Sequence, residues 1–293
     1  MPELPEVETI RRQLEPLIVG AELVDAWAFP SAKFLPALDA VGATVRGVGR
    51  RGKYLLVALD LDDDDHELVV HLGMTGRLTV RDRTAQGAQQ EPIAAEGEPS
   101  WGESVQLHEG RHLRASWRLS DGRELHFDDV RRFGRLAVVG AGQHECLPTL
   151  AALGPEPFDD EFDPEHLRRA VNSSRQAVKT QLLGQRVVAG VGNIYADEAL
   201  WRAGVHPRDR RLSTARAVAL RDSVRAVLRE GIDNGGTTLR NYRDVGGASG
   251  ENLRNLDCYG RGGEPCVRCG ELLRRGVVDA RATTWCPACQ PRR

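Results

Sequence analysis

The chain reads as an α+β protein with a mostly β N-terminal half, a helical second part and a small cysteine-rich module. Three observations predict this. Short apolar runs bounded by turn residues recur between residues 22 and 128, and the period turns helical after a Pro- and acid-rich stretch at 154–164. Four of the six cysteines fall within the last 28 residues. A length of 293 residues, 41% of them hydrophobic, suffices for two domains or one domain with appendages. No apolar run reaches the ~18 residues that span a bilayer. Glu3 and Glu6 stand where a secretory signal would be basic, so a cytoplasmic protein without a membrane partner is expected.

The opening segment is a short helix, with Val7, Ile10, Leu14 and Leu17 at helical spacing, Pro5 in the first turn and Gly20 at the end. Strands are expected at 22–29, 43–49, 53–60, 67–72 and 77–80. Two more, 113–119 and 123–128, flank the turn Ser120-Asp121-Gly122. Asp62 to Asp65 form a solvated tip, and 81–110, without a period, is a long surface loop. Beyond the 154–164 boundary, Leu167, Val171, Val178 and Leu182 suit one helix and Ile194 to Trp201 another, closed by Gly204 and Pro207. A third carries Ala217, Leu220, Val224, Val227 and Leu228 behind a Ser213 cap. A Gly-rich loop at 235–250 leads into the cysteines.

Cys266-x2-Cys269 and Cys286-x2-Cys289 are separated by sixteen residues. Two such knuckles present four thiolates to one tetrahedral zinc ion, and in so short a segment the metal substitutes for a core. Two disulfide pairs are the alternative. Cys146 and Cys258 lie outside the pattern. The ribbon carries Arg274, Arg275 and Arg281 at its tip, and from Cys266 onward basic residues exceed acidic ones by four. A basic zinc ribbon suits nucleic acid.

The overall net charge of −2 argues the other way, because affinity for nucleic acid comes largely from neutralised phosphates. Acidic residues gather at 62–65, in 81–110 and at 154–165, however, so an acidic outer surface around a basic cleft is expected. Of 40 basic residues only Lys33, Lys53 and Lys179 are lysines. At the N-terminus, removal of Met1 would leave Pro2 with a free secondary amine, partly neutral near pH 7 and nucleophilic toward an aldehyde-like sugar carbon. The resulting iminium is an electron sink for elimination, and Glu3 could protonate an opening ring or a leaving group.

The strings MPELPEVETIRR, RGKYLL (51–56), HLGMTGRL (71–78), DDVRRFG (128–134), VVAGVGNIYADEALW (187–201), GGTTLRNY (235–242) and YGRGGEPCVRC resemble, in order and over nearly the full chain, the formamidopyrimidine-DNA glycosylase family of base-excision repair enzymes. The resemblance implies an N-terminal β-sandwich with a leading helix (1–150), a helical domain with a helix–two-turns–helix element (151–255) and a zinc-ribbon finger (256–293). It implies a bifunctional glycosylase and abasic-site lyase that removes 8-oxoguanine and formamidopyrimidines from duplex DNA, monomeric and holding one structural zinc on Cys266, Cys269, Cys286 and Cys289.

By position, Pro2 resembles the Schiff-base nucleophile, Glu3 the acid, Lys53 the lysine of β-elimination and Arg281 the arginine of δ-elimination. Met74 resembles the residue that fills the gap left by a flipped base. Arg131 resembles the reader of the orphaned cytosine, and Phe133 the wedge beside it. Arg132, His112, Arg175, Lys179 and Asn193 match DNA-contact positions, Asn193 also suiting a helix cap. Three departures stand out: Val130 where the family usually has proline, Gly184 where an acidic residue is common, and a capping loop, 245–252, whose Gly250-Glu251-Asn252-Leu253 lacks an aromatic. The departure in the capping loop leaves an endonuclease VIII-like enzyme for oxidised pyrimidines as one alternative. A non-catalytic zinc-ribbon DNA-binding protein is the other.

Overall fold

The computed structural model describes residues 2–82, 110–239 and 242–292. Helix α1 (Leu4–Ile18) starts behind a capping box in which Glu3 and Glu6 exchange side-chain and backbone contacts, and it buries Val7, Ile10, Leu14 and Ile18. Strands β1 (Leu23–Ala28), β2 (Thr44–Arg51), β3 (Tyr54–Leu61), β4 (Asp64–His71), β5 (Gly76–Asp82), β6 (Leu113–Leu119), β7 (Arg123–Asp129) and β8 (Arg135–Gly140) follow. They form two antiparallel four-stranded sheets, ordered β1-β6-β7-β5 and β2-β3-β4-β8. One core lies between them and under α1. Its largest members are Trp117, Phe34 and Phe127, and the Trp117 indole donates to Ala37 O at 2.9 Å.

The expected 67–72 strand starts earlier, at Asp64. Asp62 and Asp63 take positive φ (54° and 63°) and make the two-residue turn of a β3–β4 hairpin, so half of the acidic run is strand. Strand β8 carries no alternation strong enough to predict it; it is recruited by its pairing along β4. The expected loop at 81–110 lies outside the described residues except at its ends, where Arg81 and Asp82 complete β5.

The second part is helical: α2 (Pro148–Ala151), α3 (Pro164–Asn172), α4 (Val178–Leu183), α5 (Asn193–Arg202) and α6 (Thr214–Asp233). The single helix expected from Leu167 to Leu182 is in fact two, α3 and α4. At the end of α3, Asn172 and its neighbour Ser173 spend their side chains on backbone carbonyls of Leu212 and Ala170, a competition that ends helices. Ser213 caps α6 as expected, accepting from Arg216 N. These helices bury a separate core, which Leu4 joins from the first turn of α1. The start of the chain therefore bridges both cores. Strands β9 (Arg274–Val278) and β10 (Arg281–Trp285) form the terminal hairpin. Its turn residues are Asp279 and Ala280, so Arg281 alone is at the tip. Arg274 and Arg275 sit at the opposite end, across from Trp285 and Thr284.

A candidate active site between the two cores

Three separate loops meet around the N-terminus. The first is the start of α1, where Glu3 N donates to Glu6 Oε2 at 2.7 Å and Leu4 N donates to Gly190 O at 3.0 Å. The second precedes α5. Asn193 was the expected cap of that helix, but Gly192 occupies the cap position and the Glu3 carboxylate does the capping from 191 residues away. Glu3 accepts from Ile194 N at 3.0 Å and from Tyr195 N at 3.4 Å. A helix N-terminus attracts an anion, and here it is a side chain rather than a phosphate. A Cβ on Gly192 would lie 2.1 Å from Glu3 Cδ, and one on Gly190 would lie 2.5 Å from Leu4, so both positions require glycine.

The third loop is the β2–β3 turn. Gly52, at φ +56°, and Lys53 are its two central residues. The turn is fastened to the inter-core linker: Glu156 accepts from Gly52 N at 2.6 Å and pairs with Arg50 and Arg51 at 2.7 and 3.0 Å. Lys53 is only 4% exposed. Burial pushes its ammonium pKa down, Glu3 and Glu6 push it back up, and Arg281 lowers it again. Glu3, Glu6, Lys53 and Arg281 thus share one electrostatic neighbourhood, and Pro2 adjoins it in the chain.

Glu6, His71 and Asp129 are site residues that motif reading passed over. Glu6 is fully enclosed: besides Glu3 N it accepts from Thr237 N at 2.6 Å and from the Tyr195 hydroxyl at 2.9 Å, tying the 235–250 loop to α1 and α5. The Glu3-x-x-Glu6 box was the available signal. Burial, then the neighbouring Glu3, push the Glu6 carboxyl up to about 7. A raised carboxyl pKa stabilises the fold below the unfolded value of 4.5, and that contribution is lost as pH rises through about 7. The stability advantage of wild type over Glu6→Gln is therefore expected to shrink between pH 5 and 8 in melting curves. A constant gap would contradict it. His71 packs against Tyr54 with ring centroids 4.6 Å apart and the rings tilted by 41°. Burial, Lys53 and Arg135 hold it down at about 4, so it is neutral at physiological pH.

On one side of this centre two turns carry the remaining motif residues. Met74 sits in the β4–β5 turn and is 36% exposed; Arg131 and Arg132 are exposed in the β7–β8 loop, and Phe133 there is 49% exposed. Arg131 Nη1 donates to Met74 Sδ at 3.2 Å, and its guanidinium lies 4.7 Å over the Phe133 ring. Asp129, completely buried, builds this loop: it accepts from the Thr75 hydroxyl, from Arg131 N at 3.2 Å and from Gly134 N at 2.7 Å. His112 joins by accepting from Asp129 N at 2.8 Å through its carbonyl, and burial lowers its imidazole pKa. Arg132 takes φ +56°, with its carbonyl held by Lys33 Nζ at 2.9 Å. The structure therefore brings Met74, Arg131, Arg132 and Phe133 to adjoining turns, with the backbone of His112 bound beside them.

On the other side, Arg175 is exposed between α3 and α4. Lys179 corrects an expectation. Its side chain is 0% exposed, with Asp197 Oδ1 at 2.6 Å, Thr283 Oγ1 at 2.8 Å and Ala282 O at 3.0 Å around the ammonium, which leaves none of it for DNA. Asn193 Nδ2 donates to the same Ala282 carbonyl at 3.0 Å, and its Oδ1 is buried without a partner. Among the described residues no ion pair engages Arg131, Arg132, Arg175 or Arg281.

Cys266, Cys269, Cys286 and Cys289 place their sulfurs within 4.8 Å of one another, with the 266–289 and 269–286 pairs at 4.0 and 3.5 Å. These separations are far beyond a disulfide bond. A tetrahedron with Zn–S bonds of about 2.3 Å has edges of about 3.8 Å, so the cluster fits zinc. Trp201 of α5 donates its indole N–H to Cys266 Sγ at 3.4 Å, joining this structural zinc site to the helix that Glu3 caps. Cys258, outside the cluster, is buried with its thiol against Thr284 O.

Buried Glu3, Glu6 and Lys53, set between a β-sandwich and a helical unit with a zinc hairpin, lie beside exposed arginines that no ion pair engages among the described residues. Three family models match the chain: the formamidopyrimidine-DNA glycosylase N-terminal domain over residues 1–136, the H2TH domain of the same enzyme over 153–243, and a zinc finger found in FPG and IleRS over 263–292. The formamidopyrimidine-DNA glycosylase of Deinococcus radiodurans is 40% identical, covering 100% of this chain and 98% of that protein. That of Herpetosiphon aurantiacus is 43% identical over 99% and 100%. The crystal structure of the MutM (FPG) protein of Thermus thermophilus superposes with a TM-score of 0.83 at 40% identity over both full chains. A Lactococcus lactis FPG mutant in complex with Fapy-dG-containing DNA superposes with a TM-score of 0.82 at 32% identity, over 99% of this chain and 100% of that one. The chain belongs to the formamidopyrimidine-DNA glycosylase family.

Proposed function

We propose that this protein is a bifunctional DNA glycosylase and abasic-site lyase that excises oxidised purines, 8-oxoguanine and formamidopyrimidines, from duplex DNA. The observation that carries the reading is the convergence of Glu3, the residue after Pro2 and held on the N-terminus of α5, with Lys53 and Arg281. The names of the full-length relatives support it, as do neighbours solved with Fapy-dG, abasic-site and carbocyclic 8-oxo-G DNA. After Met1 is removed, the Pro2 nitrogen attacks C1′ of the damaged nucleotide and the base departs. Glu3 protonates the opening sugar ring, and a cationic iminium links C1′ to Pro2. Loss of a C2′ proton expels the 3′ phosphate and a second elimination expels the 5′ phosphate, leaving a one-nucleoside gap. Lys53 assists the first elimination, and its charge helps keep Pro2 unprotonated. Arg281 assists the second by holding the departing phosphate.

Met74, Arg131 and Phe133 enter the duplex where the nucleotide has flipped out, with Arg131 toward the orphaned cytosine; unstacking costs a few kcal/mol, repaid by contacts to the kinked duplex. Arg132, His112, Arg175 and Asn193 take phosphates. The chain divides into a catalytic β-sandwich domain (1–150), a helical domain (151–255) and a zinc finger (256–293), and it acts as a monomer in the cytoplasm on nucleoid DNA.

The test is borohydride trapping on a duplex carrying 8-oxoguanine opposite cytosine. A covalent adduct is expected, stronger than on a duplex with an oxidised pyrimidine; no adduct, or the reverse order, would sink the reading. In the same assay Arg281→Ala is expected to trap normally but to stop at the β-elimination product. Its δ product should fall about 100-fold, the scale of losing one well-placed charge-stabilising donor.

A further inference from the structure

Met74 is the only methionine besides Met1, and the fold holds it out toward solvent. Its turn cannot retract. Gly73 takes φ +63°, Gly76 N donates to Leu72 O at 2.8 Å, and the Thr75 hydroxyl is bound to the buried Asp129. The thioether is also already aimed at a cation, with Arg131 Nη1 3.2 Å from Sδ. Thioether sulfur is a weak acceptor, so this contact yields easily when Arg131 is needed elsewhere. A sulfoxide oxygen in the same place would be a strong acceptor for the same guanidinium, which also lies 4.7 Å over the Phe133 ring.

We infer that Met74 is a reversible oxidation site that switches duplex engagement off. The inference rests on the proposed wedge role of Met74 and Arg131. A peroxide is the oxidant. The sulfur lone pair attacks one peroxide oxygen, the O–O bond breaks as the S–O bond forms, sulfur gives up two electrons, and the second oxygen leaves as hydroxide and is protonated to water. The product has a polar, chiral tip where an apolar one must enter a base stack, and it binds Arg131 in place. Reduction by a dithiol methionine sulfoxide reductase returns the thioether: the sulfoxide oxygen leaves as water with the two thiol protons, and the two thiols give up two electrons and close to a disulfide. Entry into a stacked duplex is lost. Iminium chemistry at Pro2 is untouched, since Pro2, Glu3 and Lys53 lie on other elements.

The experiment compares wild type and Met74→Leu before and after hydrogen peroxide, with peptide mass analysis for one added oxygen on Met74. Substrates are duplex 8-oxoguanine DNA and a single-stranded oligonucleotide bearing one abasic site, which needs no wedge. The oxidised wild type is expected to lose duplex excision about tenfold or more while cleaving the single strand as before. Methionine sulfoxide reductase should restore it, and Met74→Leu should keep whatever duplex rate it has through the treatment. The inference is overturned if Met74→Leu loses the same fraction, if sulfoxide-bearing protein excises at the untreated rate, or if both substrates fail together with zinc release, which would mark cysteine oxidation. Failure of untreated protein to form an adduct on either substrate would overturn the functional reading itself, and the inference with it.

Discussion

Extending the chain ahead of Pro2, so that its nitrogen stays in a peptide bond, is expected to abolish borohydride trapping and strand cleavage while leaving the fold and binding to an abasic-site analogue intact. An amide nitrogen has no available lone pair and cannot form an iminium. The free α-amino group, with an ordinary pKa of about 7.7–8.0, offers a neutral fraction at physiological pH. Structure should survive because the contacts that place this segment lie downstream of the Pro2 nitrogen. Glu3 N binds Glu6, Leu4 N binds Gly190 O, and the Glu3 carboxylate caps α5. Trapping and melting temperature read the two halves of the prediction separately. Persistent adduct formation by the extended protein would reassign the nucleophile, and buried Lys53, with its lowered pKa, would be the first amine to examine.

What the sequence made legible follows the range of each interaction. Period-two alternation and local turns are short-range signals, and β1 to β7 lie within a few residues of expectation. The cysteine pairs are equally local and close into the cluster that their spacing requires. The Gly73-Met74-Thr75-Gly76 and Asp129-Val130-Arg131-Arg132-Phe133 segments were recognisable as motifs, but that Arg131 bridges Met74 to Phe133 depends on β5 pairing with β7. Contacts made at long range were silent. Nothing near Glu3 says that its carboxylate will cap a helix 191 residues away, and nothing near Asn193 says that its amide will be drawn to Ala282. The run Val171-Asn172-Ser173-Ser174 did carry a local signal against one continuous helix, which the apolar spacing on either side outweighed.

Lys179 is the extreme case of a residue whose type misleads about its place, and it gives the largest expected loss of stability. A lysine in an anion-binding neighbourhood reads as a phosphate contact, yet it sits at 0% exposure with Asp197 at 1%. Burial alone would expel both charges. They are held because each has other partners: Ala282 O and Thr283 Oγ1 for the ammonium, and Thr284 N, at 2.9 Å, for the carboxylate. The cage therefore joins α4, α5 and β10 at the three residues that follow Arg281. Lys179→Met leaves Asp197 buried without its counter-ion and is expected to cost about 3–5 kcal/mol of stability in urea denaturation. The double variant Lys179→Met with Asp197→Asn should regain much of that loss, because a neutral amide keeps an acceptor for Thr284 N without a stranded charge. Acid should also narrow the gap between Lys179→Met and wild type, since the stranded carboxylate can take up a proton. Displacement of the hairpin should register as well in a lower ratio of δ to β product, a readout that global weakening would not move. A single variant within about 1 kcal/mol of wild type would show that the cage is not what fixes the hairpin. Arg281 would then owe its position to the cysteine cluster and to the hairpin's other ties, Asn193 on Ala282 O, Thr180 on Asp279 and Arg208 on Val277 O.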